Sequence, residues 1–124
     1  MPRERERLFR LIQESDARGV VFISGDRHLA ELSRIEPSES GLDYPLYDLT
    51  SSSLNQPSGG GNENEINSRR VGEHYLQVNF GTIGIEWPLD GEARPLPPRV
   101  TLRIHDVEGQ VVREQLVDEQ VFAR

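Results

Sequence analysis

The sequence predicts an α/β fold in which one N-terminal helix is followed by a β-rich mixed sheet. Three observations predict it. A charged, amphipathic opening segment is stopped by glycine. A short run of β-branched and aromatic residues, Val20-Val21-Phe22-Ile23, follows at once. Toward the C-terminus, apolar and polar residues alternate in period two, as half-buried strands do.

Residues 3 to 17 form the predicted helix. Pro2 suits a first helical position, where its missing N–H costs nothing. Leu8, Phe9, Leu11 and Ile12 make the apolar stripe, with Ser15 and Asp16 on the polar side. Glu4/Arg7 and Glu6/Arg10 stand at pairing distance on a helix. Gly19 is the expected stop. The run at residues 20 to 23 has the continuous apolar character of a strand buried on both faces of a parallel sheet.

Residues 29 to 35 fit a strand or a short helix equally. Leu46-Tyr47-Asp48-Leu49-Thr50 is a predicted strand. Residues 56 to 72 are rich in Gly, Ser, Asn and Glu and read as a flexible surface insertion. Beyond it, Leu76, Val78 and Phe80 alternate, and so do Ile83, Ile85 and Trp87. The two sets are out of phase, so a bulge, bend or turn is expected at Gly81-Thr82. Trp87 is expected to pack in the core or at a sheet edge. Residues 88 to 98 read as a turn-rich connection. Val100, Leu102 and Ile104 begin a hairpin whose partner runs from 111 to 117, with Asp106-Val107-Glu108-Gly109 as its turn.

A chain of 124 residues supports a single domain, 1–124, with a modest core. A net charge of −7 without lysine blocks argues against a nucleic-acid binding surface, which draws its affinity from clustered cations. The absence of cysteine excludes disulfides, thiol catalysis and thiolate-bound zinc. No apolar run approaches the ~20 residues of a membrane span. The first residues lack the apolar stretch of a signal peptide.

Asp26 and His28 are the first candidates for chemistry. In extended chain, residues i and i+2 point the same way. A carboxylate and an imidazole so placed can converge on a metal, since oxygen suits hard cations and imidazole suits iron, zinc or manganese. Gly25 allows a sharp turn or a close approach to a ligand. On spacing alone, the same residues also read as a turn aspartate and a histidine bonded to backbone. Arg27 could face a phosphate bidentately or form an ion pair within the chain. Glu31 could orient His28 or be an exposed strand carboxylate. Asn55 could line a site or serve a turn. His74 and His105 are expected to be structural or surface residues.

Gly-Val-Val-Phe-Ile-Ser-Gly-Asp-Arg-His-Leu-Ala-Glu-Leu-Ser, residues 19 to 33, resembles the last metal-binding motif of PhoD-like (alkaline phosphatase D) phosphatases. The resemblance continues through Tyr44-Pro45-Leu46-Tyr47-Asp48-Leu49-Thr50-Ser51-Ser52-Ser53-Leu54-Asn55 and resumes at Asn79-Phe80-Gly81-Thr82-Ile83-Gly84-Ile85. It implies a partial layered αββα core of the calcineurin-like metallophosphatases. It implies Asp26 and His28 as catalytic metal ligands, with iron and calcium or other divalent ions as cofactors. Arg27 and Asn55 become the candidates to bind a phosphomonoester or phosphodiester substrate. The family's earlier metal motifs have no counterpart here. The chain is therefore expected to be the C-terminal portion of such a domain, inactive alone and completed by an N-terminal half or partner chain. Family members are often periplasmic or secreted. The alternative reading is a noncatalytic β-rich binding or interaction module.

Overall fold

The computed structural model describes residues 2–61, 63–88 and 96–123. Helix α1, Pro2–Glu14, opens the chain with Pro2 at its first position. Phe9 and Ile12 are buried and join the core, while Leu8 and Leu11 stay exposed. The predicted stripe therefore splits, and only its 9/12 side packs. The helix stops short of residue 17. Ala17 N reaches back five residues to Ile12 O at 3.3 Å, and Asp16 takes a left-handed φ of 51°. Gly19 then turns with φ 72° and donates its N–H to Val121 O at 2.8 Å.

Seven strands follow among the described residues: β1 Val21–Ser24, β2 Ala30–Ile35, β3 Leu46–Ser51, β4 Arg70–Tyr75, β5 Phe80–Glu86, β6 Arg99–His105 and β7 Val111–Leu116. A short helix, α2, Pro37–Ser40, lies between β2 and β3, and a 3₁₀ turn, Glu119–Val121, follows β7. Residues 29–35, open to two readings from sequence, contain a strand. The β segment is mixed as expected but divides into two sheets, ordered β1-β3-β2-β4 and β5-β6-β7. Among the described residues only the β1–β3 pairing is parallel. Leu32, Leu49, Leu102 and Ile104 are among the buried side chains of the common core. Gly81 has a packing reason: a Cβ there would lie 3.2 Å from Leu49 Cδ2 and from Ser51 Cβ. Its bare backbone lets β5 approach β3.

Four expectations need correction. The strand at 20–23 pairs in parallel with β3 but is not buried on both faces. It is an edge strand, and Ile23 is 73% exposed. No bulge occurs at Gly81-Thr82. The register runs unbroken from Phe80↔His105 to Glu86↔Arg99, because Phe80 and Ile83 point to opposite faces of one regular strand, which needs no bulge. Strand β4 begins inside the segment read as an insertion; Gly72 and Glu73 hide it from a pattern search, since neither favours a strand. Trp87 lies just past β5 and is 72% exposed, so it packs in no core. Of the predicted 88–98 connection, residues 89–95 lie outside the described residues. The C-terminal hairpin is as expected. Asp106 Oδ1 accepts from the N–H of Glu108 at 3.0 Å and of Gln110 at 2.8 Å, and Gly109 has φ 82°. Among the described residues, no helix is long and apolar enough to cross a membrane.

Two predictions follow from this packing. Leu102 is wholly buried, so Leu102→Ala should cost about 2–5 kcal/mol in urea unfolding, as core truncations do. Burial pushes the phenols of Tyr44 and Tyr47 above their ordinary range, although Arg18 pulls the first back and the Asp118 N–H the second. A raised folded-state value favours the neutral form. The associated stability is fully present below the unfolded value of about 10 and is lost as pH rises through the higher folded values. Replacing both with phenylalanine should flatten the fall in melting temperature on the alkaline side.

Candidate functional site

Because β1 and β3 run parallel, their carboxyl ends lie at the same end of the sheet. The loop after β1 carries Gly25, Asp26, Arg27 and His28. The segment after β3 carries Ser52, Ser53, Leu54 and Asn55. Ser52 stitches the two together. Its Oγ accepts from Arg27 N at 3.0 Å and donates to Leu29 O at 3.2 Å, while its N–H donates to Leu29 O at 3.3 Å. Leu29 is wholly buried and anchors the loop's far end. A Cβ on Gly25 would sit 3.4 Å from Ser52 Cβ, so the two segments run close together.

Asp26 and His28 do not sit in extended chain. Both have left-handed backbones, with φ 60° and 52°. The i, i+2 rule for strands therefore does not set their directions. Aspartate and histidine tolerate this region better than most residues, yet two such positions in three residues make a strained hairpin bend. Strain of this kind gathers at binding and catalytic loops, because neighbouring structure must hold it in place. Here Ser52 and Leu29 do the holding. Asp26, Arg27, His28 and Asn55 are all exposed.

Arg27 forms an ion pair with Glu65. Glu31 is neither exposed nor bonded to His28. It is 4% exposed, its Oε2 accepts from Arg70 Nε at 2.6 Å, and its Oε1 accepts from Asn67 Nδ2 at 3.1 Å. The β4 strand missed from sequence supplies that arginine. Asn79 is fully used in the backbone frame. It accepts from Ser51 Oγ at 2.8 Å, donates from Nδ2 to Gln77 O at 2.7 Å, and gives its N–H to Ser53 O at 3.0 Å. His105 stacks on Phe80 at 4.8 Å and bonds Thr82 Oγ1 through Nε2, a structural role as expected. His74 is half-buried on β4.

A second polar group went unnoticed in the sequence. Ser24 Oγ donates to Asp48 Oδ1 at 2.8 Å and lies 2.7 Å from Thr50 Oγ1, which also donates to Asp48 Oδ1 at 3.0 Å. The signal was the pair of polar residues, 48 and 50, on one face of an otherwise apolar strand.

The donor chemistry of Asp26 and His28 suits a transition metal or a harder cation. Their number does not complete a shell: structural sites take four ligands, and catalytic sites take at least three from protein. Among the described residues, no group of three or more acidic or histidine side chains could hold a metal. Two such residues are too few to hold an ion tightly by themselves. No family model, curated protein or solved structure matches the chain.

The buried Arg70–Glu31 pair should outweigh its exposed neighbours. Arg70→Met strands a buried carboxylate and should cost about 3–5 kcal/mol. Arg69→Met only releases Glu39 at the surface, where the loss should stay below about 1 kcal/mol. Urea unfolding of the two variants checks the contrast.

Proposed function

We propose that this chain is the C-terminal portion of a PhoD-like, metal-dependent phosphatase, with Asp26 and His28 forming one corner of its metal centre. The observation that supports this reading is the convergence of the 25–28 and 52–55 segments at the carboxyl ends of a parallel strand pair. In open α/β sheets, ligands bind at that end. The left-handed Asp26 and His28, held by Ser52, are a second support.

In this reading the Asp26 carboxylate provides an oxygen ligand and the His28 imidazole a nitrogen ligand. Arg27 exchanges its bond to Glu65 for one to a phosphate oxygen. Asn55 offers its amide to the same ester. A bound metal, iron with calcium or another divalent pair, would polarise the phosphoryl group and lower the pKa of a water. The remaining ligands, and the rest of an αββα core, come from an N-terminal half or a partner chain. The isolated chain is inactive toward phosphomonoesters and phosphodiesters.

The noncatalytic interaction module is the second reading, favoured by one observation. Ile23, Leu54 and Ile83 are exposed around a hollow of 260 Å³ between β1 and β5. Exposed apolar groups that share a hollow suit a partner surface.

Calorimetric titration with manganese and with calcium separates the two. Wild type should bind at least one ion. Asp26→Asn and His28→Ala should each weaken binding by about tenfold or more, as losses around a metal site do. Equal binding by wild type and both variants would favour the interaction module.

A further inference from the structure

The outer face of the first sheet, turned away from β5–β7, carries two cross-strand rows. Ser24, Thr50 and Glu31 are register partners in one row, and Phe22, Asp48 and Ser33 in the next. Register partners share a face, with adjacent strands about 4.8 Å apart. Phe22 and Asp48 therefore stand side by side, and both line a hollow of 220 Å³ together with Ser24 and Thr50.

Four charged residues line this hollow, Arg27, Arg69, Glu31 and Asp48, and the first three have ion-pair partners. Arg70 is matched by Glu31, Arg27 by Glu65 and Arg69 by Glu39. Asp48 has no ion pair among the described residues. Its two donors, Ser24 and Thr50, are neutral hydroxyls, and both address Oδ1. Oδ2 accepts nothing from the described residues. The residue is half-buried, and Oδ2 remains open to solvent or to a ligand.

A half-buried carboxylate beside an aromatic ring matches an organic ammonium group. The carboxylate meets the charge, and the ring face attracts the cation and its attached carbons. A bare calcium ion would want six to eight oxygens, more than this row supplies. We infer that this bay binds the ammonium group of a small organic amine, held between Asp48 and Phe22. The inference uses neither Asp26 nor His28 and survives the failure of the metal reading, although Arg27 borders both regions.

The test is a titration of the isotope-labelled chain, followed by amide NMR shifts. Choline and ethanolamine are the probes, glycerol is the neutral control, and Gly-Lys-Gly represents a lysine side chain. Choline should give saturable shifts centred on Phe22, Asp48 and Thr50. Glycerol should give none, and the peptide should bind more weakly. Asp48→Asn keeps the Oδ1 acceptor for both hydroxyls and should weaken choline about tenfold. Phe22→Leu keeps the strand apolar and should weaken choline more than ethanolamine, and it decides the matter if Asp48→Asn does not fold. The inference is overturned if wild type shows no saturable shifts, if glycerol matches choline, if the peptide binds as tightly as choline, or if both variants retain wild-type affinity.

Discussion

Hydrogen bonding along both edges of β3 is the constraint on which the rest of the first sheet depends. On one side β3 pairs in parallel with β1, and on the other antiparallel with β2. Its two faces do different work. Leu49 points toward the second sheet and meets the bare backbone at Gly81. Asp48 and Thr50 point outward and gather the hydroxyl of Ser24. The same strand thus fixes the core, the polar row on the outer face, and the position of both loops at the sheet's end. A one-residue slip would exchange these faces at once, and Gly81 would then face the wrong side chain.

Burial and charge are divided between the two sides of the molecule. The core side is filled by leucine, isoleucine and valine from both sheets, with Tyr44 and Tyr47 buried among them. Tyr44 donates its hydroxyl to Ala17 O at 2.7 Å, so the ring can be buried without stranding its polar end. The outer face of the first sheet also carries arginine–glutamate pairs, and among the described ones there Arg70–Glu31 is the most shielded. That pair joins β4 to β2 where the sheet register shifts, between Ala30 and Leu32. The side chains reinforce the sheet there, at the irregularity in the backbone ladder.

Much of this was legible in the sequence where local chemistry decides the outcome. The helix start at Pro2, the hairpin turn at Asp106–Gly109 and the alternation in β6 all depend on residues close in the chain. What failed depended on distant partners. Whether residues 20–23 lie inside a sheet or at its edge depends on what pairs with the far side of β1. The β4 strand, with Gly72 and Glu73 in its middle, exists because β2 offers it an edge and Arg70 a buried carboxylate. Of the candidate site, the loop and its residues were visible as a motif. The left-handed turns at Asp26 and His28 were not, because Ser52 and Leu29 impose them from outside. Asp48 was hidden for a similar reason: its neighbours Ser24 and Phe22 come from a strand more than 20 residues away.

Strand β1 is four residues long and holds the sheet by one edge. Short edge segments open at a fraction of the free energy needed to unfold a whole domain. The Gly25–His28 loop hangs from this strand, so its ordered geometry persists only while β1 is docked. Any ligand of the loop would bind the docked population, and its apparent affinity would fall by the fraction of time the strand is away. Molecules that never touch the loop could therefore tune it, simply by holding β1 against β3.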